Sequence, residues 1–233
     1  MALPDGELGH VLVTGGASGL GRAVAQAVEA GGGTPIVLDR AQAPDGVAGE
    51  IVDLADGRAA EAAVERVAER FGGLSSVVTC AGIDACGQLA DVAAGDWERV
   101  IKVNLLGTAA VIRAALPFLV RQPNPRVVTV ASTLGLRALS DATAYCASKF
   151  GVVGFSRALA AELAGRVGVT LLLPGGMATA FFDDRPENYK PPADAKLNRP
   201  EDVAAAVVFA LRQPRGCEVR ELLICPSEEP SWP

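Results

Sequence analysis

The sequence predicts a doubly wound α/β fold, a seven-stranded parallel sheet with helices on both faces, from three observations. Short runs that are apolar throughout, instead of alternating, recur along the whole chain. Stretches with helical spacing separate them, and glycine or proline punctuates the junctions. With 233 residues, 50% hydrophobic and 21% charged, the chain can close a full core, and no repeat or linker divides it. A single domain over 1–233 is expected.

The first strand is His10–Thr14, ending in glycines, and residues 20–30 form an Ala/Val-rich helix closed by Gly31-Gly32-Gly33. Residues 35–38 are the second strand and Ile51-Val52 a third, followed by a helix over about 58–70 and a strand over 74–78. Asp96 is expected to N-cap a long helix running to Val120, and 126–130 is a fifth, largely β-branched strand. Small and apolar residues at helical spacing mark a helix over about 144–164, before a sixth strand, 167–173, stopped by Pro174. A last helix, 200–211, begins with proline and precedes the seventh strand, 221–224. The polar stretch 183–198, with Pro186, Pro191 and Pro192, reads equally as a disordered loop or a lid over a site.

Composition excludes several functions. A formal charge of -6 leaves no basic face for a nucleic acid backbone. Five cysteines, Cys80, Cys86, Cys146, Cys217 and Cys225, form an odd set without a C-x-x-C pair, so no disulfide framework or metal site is expected. Reduced thiols point to a cytoplasmic protein. Asp5 and Glu7 stand where a secretory leader carries basic residues, and the apolar stretch 167–182 is broken by Pro174-Gly175-Gly176, so no membrane span is expected. The single histidine, His10, stands at the start of the first strand, and its isolation argues against hydrolysis by Ser-His-Asp or Cys-His sets.

What remains is a cluster of groups suited to a dinucleotide and a proton. Thr14-Gly15-Gly16-Ala17-Ser18-Gly19-Leu20-Gly21 lies between the first strand and the first helix, where a turn without side chains admits a pyrophosphate to a helix N-terminus. It lacks the Gly-Lys-Ser/Thr ending of a nucleoside triphosphatase loop. Asp39, ending strand two, can accept hydrogen bonds from ribose hydroxyls and repels a 2′-phosphate, which favours NAD(H) over NADP(H); Arg40 beside it opposes that preference. Tyr145 and Lys149 share a helix face at i,i+4, where the ammonium can stabilise a phenolate for general acid/base work. Ser132 ends strand five at the carboxyl edge of the sheet, placed to hold a substrate oxygen.

Together these residues resemble the short-chain dehydrogenase/reductase family in its subclass of about 250 residues, over nearly the whole chain. Thr14, Gly15, Gly19 and Gly21 match the cofactor turn T-G-x-x-x-G-x-G, Asp39 the acidic cofactor selector, and Asp53 the aspartate facing the adenine. The family's Asn-Asn-Ala-Gly is here Thr79-Cys80-Ala81-Gly82. That departure touches hydrogen bonds at the central sheet or adenosine ribose, not the chemistry. Asn104, Ser132, Tyr145 and Lys149 complete the catalytic tetrad, and 174–179 match P-G-x-x-x-T.

The resemblance implies a Rossmann-like fold and an NAD(P)-dependent oxidoreductase that interconverts a secondary alcohol and a ketone. Tyr145 is then the acid or base at the substrate oxygen while hydride passes to or from the nicotinamide. Ser132 orients that oxygen, and Lys149 lowers the tyrosine pKa and binds the nicotinamide ribose. Asn104, in a helix distortion, holds a water linking the lysine to solvent. Cofactor contacts are implied from Thr14, Gly15, Ser18, Gly19, Leu20, Gly21, Asp39, Arg40, Asp53, Leu54, Cys80, Ala81, Gly82, Pro174, Gly175 and Thr179, and from Tyr145 and Lys149 themselves.

By the same resemblance residues 180–199 are the substrate lid. Phe181, Phe182 and Tyr189 are expected to give it apolar contacts, above a floor of Ile83, Leu134, Leu136 and Met177, for a modestly apolar small-molecule substrate. A homotetramer or homodimer is implied, built on the helices over 96–120 and 145–164 and the last strand, with the tail 228–233 ordering at an interface. A catalytically vestigial cofactor-binding sensor or partner subunit is the alternative, and the intact tetrad favours the enzyme.

Overall fold

The computed structural model describes residues 7–229; Asp5 and residues 230–233 of the tail lie outside them. Seven strands pair in the order β3-β2-β1-β4-β5-β6-β7, every neighbour parallel. They are β1 (His10–Thr14), β2 (Thr34–Asp39), β3 (Ala48–Ile51), β4 (Ser76–Thr79), β5 (Arg126–Val130), β6 (Gly168–Pro174) and β7 (Glu221–Ile224). The helices are α1 (Gly19–Ala30), α2 (Gly57–Arg70), α3 (Ala94–Ile101), α4 (Thr108–Leu119), α5 (Thr143–Glu162) and α6 (Pro200–Leu211).

The apolar runs follow from burial on both faces. Successive side chains of a strand point to opposite sides. In β1, Leu12 joins the core beneath α2, α4 and α5, while Val11 and Val13 join the core shared with α1 and α6. The inner strands β4, β5 and β6 are buried along their whole length, whereas the edges β3 and β7 are half-buried or exposed. That difference explains one correction. The third strand is Ala48–Ile51, not a pair centred on Ile51-Val52, because an edge strand needs no apolar run and Ile51 faces solvent. Pro174 also ends β6 from within the strand, paired with Ile224.

The helix expected from Asp96 to Val120 differs in its start, and its middle carries the distortion expected at Asn104. It begins at Ala94 after Ala93, whose side chain has no oxygen to accept a helix amide; Asp96 stands in the first turn, where its charge complements the helix dipole. Residues Lys102–Gly107 widen into a π-helix between α3 and α4. By length and hydropathy Ala94–Leu119 is the one described helix that matches a membrane span. Its Val111, Ile112, Ala115 and Leu119 pack in the core.

The strand order reverses at the β1–β4 boundary, which opens a crevice beyond the carboxyl ends of those strands. The Thr14 hydroxyl accepts the Ala81 amide at 3.2 Å and ties the two loops together there.

Candidate active site

The glycine turn is a cradle without room for side chains. A Cβ on Gly15 would lie 2.8 Å from the Ala81 backbone, one on Gly16 2.5 Å from the Val37 side chain, and one on Gly21 2.1 Å from the Gly15 carbonyl oxygen. Gly15 and Gly19 have positive φ, +68° and +50°, which glycine adopts without a Cβ penalty. The Ser18 side chain makes no capping bond to α1, so the N-terminal amides of that helix lie open to an anion. Leu20 packs in the core beneath the turn.

At the next strand tip, Asp39 accepts the Ala17 amide through Oδ2 and the Ala41 amide through Oδ1, both at 2.9 Å. The first bond joins β2 to the glycine turn. Asp53 accepts from Ala55 at 2.9 Å and from Arg99 Nη2 at 2.7 Å, and these bonds hold its carboxyl below the usual range, with Arg40 contributing at longer reach. Leu54 is buried in the core, its carbonyl against Gly107. Thr179 lies against Gly19, where a Cβ would stand 3.5 Å from its side chain, so the segment after β6 closes one side of the cradle.

The four groups of the expected tetrad converge. Asn104 sits in the π-helix, 1% exposed; its Oδ1 accepts the Ile83 amide at 2.8 Å, and its Nδ2 donates to the Ile83 carbonyl at 2.9 Å and the Ser148 hydroxyl at 3.0 Å. The widened turn presents a buried amide to the loop after β4 and fixes that loop by both edges of one residue. This side chain is thus bonded to backbone, a structural task the resemblance did not assign. Lys149, 4% exposed, donates to the Val130 carbonyl at 3.0 Å, and its Nζ lies 5.5 Å from the Tyr145 ring centre. A Cβ on Gly82 would come within 3.5 Å of that ammonium.

Burial dominates the electrostatics. It pulls the Lys149 ammonium down to about 8 and pushes the Tyr145 phenol up to about 12, where a side-chain hydrogen bond with Ser132 acts the other way. Ser132 Oγ also accepts the Leu134 amide at 3.1 Å. Cys80, where the family carries asparagine, is a thiol pushed up to about 12 by burial, and the neighbouring Thr79 hydroxyl is buried without a hydrogen-bond partner.

The segment expected to form the lid is closed at its neck. Met177 bridges Asn198, the Ala178 amide donates to the Asn198 carbonyl at 2.9 Å, and the Asn198 amide donates to the Gly176 carbonyl at 2.9 Å. Phe181 packs on Tyr145, ring centres 5.7 Å apart, and Phe182 packs on Phe181 at 5.5 Å. Two of the expected floor residues, Leu136 and Met177, are partly buried and pack against core clusters. The sequence reading missed two charged groups among these aromatics, Asp84 and Arg185, which pair at 2.6 Å. They are 101 positions apart and no spacing links them.

Similar proteins carry the same architecture. Residues 9–190 match the short chain dehydrogenase family. The chain is 31% identical to the 3-oxoacyl-(acyl-carrier-protein) reductase FabG of Thermotoga maritima, over 85% of this chain and 88% of that one. It is also 31% identical to the glycine betaine reductase ATRR of Emericella nidulans, over 98% of this chain but 20% of that much longer protein. Among solved structures, a short chain dehydrogenase from Burkholderia cenocepacia in complex with NADP superposes with a TM-score of 0.81 at 26% identity, covering 95% of this chain and 98% of that one. With the parallel sheet, the glycine cradle and this match, the chain belongs to the short-chain dehydrogenase family, an oxidoreductase family that uses nicotinamide cofactors.

Proposed function

We propose that this protein interconverts a secondary alcohol and a ketone, with Tyr145 as general acid and base. The observation that carries the reading is the convergence of the Tyr145 phenol, the Ser132 hydroxyl and the buried Lys149 ammonium beside the glycine cradle. A bound nicotinamide dinucleotide supplies or accepts the hydride. The chain's own residues do the rest: the amides of α1 and the glycine turn hold the pyrophosphate, and Ser132 and Tyr145 hold the substrate oxygen. Lys149, buried beside the tyrosine ring, offers its charge to the phenolate and the ribose.

Asp39 supports NAD(H) as the cofactor, since its carboxylate occupies the strand end where a 2′-phosphate would crowd it. Arg40 and the NADP held by the Burkholderia relative weigh toward the phosphorylated cofactor. A panel of secondary alcohols and ketones, read by nicotinamide absorbance with each cofactor, tests both parts. Turnover on the panel is expected, with kcat/KM for NAD+ at least about tenfold that for NADP+, a preference of about 1.4 kcal/mol. Cofactor binding without turnover supports the vestigial alternative, and an NADP+ preference overturns the assignment to Asp39.

Homo-oligomerisation is part of the proposal. Leu106 and Phe150, on the helices expected at an interface, Phe209 on α6 and Leu223 on the edge strand β7 are large apolar residues facing solvent. Sedimentation is expected to show a dimer or tetramer; a monomer at micromolar concentration rules it out.

A further inference from the structure

Asp84 and Arg185 form the most enclosed ion pair among the described residues, with side chains 6% and 19% exposed. It joins the loop after β4, which Asn104 grips at Ile83, to the lid segment between its two short turns (Ala180–Phe182 and Glu187–Tyr189). The carboxylate is oriented from its own loop, accepting the Ala85 amide at 2.7 Å and the Cys86 thiol at 3.2 Å. From the lid side, the Arg185 guanidinium carbon lies 5.0 Å and 4.6 Å from the ring centres of Phe181 and Phe182, a cation stacked on both. Its Nη1 donates to the Tyr189 carbonyl at 3.4 Å, while Nε is buried without a partner. Arg185 therefore clamps the lid's aromatic residues against a preset carboxylate, and Phe181 passes the contact to Tyr145.

Both charges reach the reacting phenol. The charged and titratable groups that act on it are Asp84 and Arg185 from the two loops and Cys146 from its own helix, with Lys149 over its ring and the Ser132 hydroxyl bonded to it. Asp84 disfavours the phenolate and Arg185 favours it, and the two charges are held 2.6 Å apart, so in the closed pair they act against each other.

We propose that Asp84 and Arg185 are positioning residues for the reaction: their ion pair seats the lid on Tyr145 and balances the charge at its phenol. The inference rests on the reading of Tyr145 as acid and base, and its test needs no substrate. The chain has two tyrosines, so in a Tyr189→Phe background phenolate absorbance reports Tyr145 by itself. Full-length protein saturated with NAD+ is taken through rapid pH jumps and read before alkaline unfolding.

Asp84→Asn is expected to lower the ionisation midpoint by about one pH unit, Arg185→Gln to raise it by about one, and the double variant to return within about 0.3 of the parent. Shifts in the same direction, or no shift beyond about 0.3 in either single variant, overturn the charge balance. Should Arg185→Gln fail to fold, the double variant compared with Asp84→Asn gives the Arg185 effect, expected again as a rise of about one unit. Arg185→Lys keeps the charge but loses the planar stack: the parent midpoint with faster amide exchange across 180–199 is expected, and unchanged exchange there overturns the latch. None of these readings depends on turnover, so they stand apart from a failure of the acid/base assignment.

Discussion

Tyr145→Phe is expected to bind NADH as the parent protein does and to lose about a thousandfold in kcat, within the range that removal of a general acid/base costs. The substitution deletes one oxygen. The ring that packs on Phe181 and lies 5.5 Å from the Lys149 ammonium is retained, so the lid and the cofactor side keep their shape. What disappears is the proton carrier and the partner of Ser132. The loss belongs in kcat more than in KM, because the phenol acts on charge that develops as the substrate oxygen gains or loses its proton.

The direction of reaction gives a second reading of the same group. With the phenol pushed up to about 12, Tyr145 is protonated throughout the neutral range, ready to act as an acid. Alcohol oxidation needs the phenolate, so its rate is expected to climb with pH over about 7 to 9 while ketone reduction stays nearly level. Initial rates in both directions check this, and Tyr145→Phe should lose the climb. Turnover of the variant within about tenfold of the parent would remove Tyr145 from the chemistry.

Lys149→Met is expected to do two opposite things: lower kcat about a hundredfold or more and raise thermal stability. The ammonium is 4% exposed, and among the described residues its hydrogen bond goes to the Val130 carbonyl. Burial draws its pKa from 10.5 to about 8, so holding the charge at pH 7 costs about 3 kcal/mol, an order-of-magnitude figure. A methionine of similar length removes the charge and keeps the volume.

The sign follows from proton counting. In the folded protein the lysine releases its proton near 8 and in the unfolded chain near 10.5, so between those values the unfolded state binds more protons and stability rises with pH. The penalty is full below about 8 and vanishes as pH passes 10.5. The stability advantage of Lys149→Met over the parent is therefore expected to be largest at neutral pH and to shrink toward pH 10. Denaturant unfolding at several pH values measures it. A variant less stable than the parent at pH 7 would mean that the ammonium is better solvated or paired than its burial implies.

Retention of so costly a charge makes sense only if it serves the site. A buried group that destabilises the empty protein yet stands beside a phenol and under a glycine cradle is the pattern expected of chemistry held at the expense of stability.

Much of this was written in the chain order. The inner strands are buried on both faces, so continuous apolar runs located β1, β2, β4, β5 and β6 within a residue or two. The edge β3 was misplaced, because solvent on its outer side removes the signal. Glycine positions were legible for a local reason: a Cβ at Gly15 or Gly21 would meet backbone at once, and only residue type records that. Tyr145 and Lys149 were legible because residues four apart on one helix share a face.

Other features were not local. The π-helix leaves no mark in hydrophobic spacing; only the family resemblance placed a helix distortion at Asn104, and the widened turn at Lys102–Gly107 aims that residue at Ile83. Asp84 and Arg185 read separately as two charges in polar loops, and only the folding of the lid over the β4 loop makes them a pair. Sequence by itself determined the layers, the cradle and the helical half of the proposed catalytic group, since each depends on short spacings along one element. Tertiary structure decided which distant charges meet, because burial, not spacing, sets where a carboxylate needs a partner and what a phenol feels.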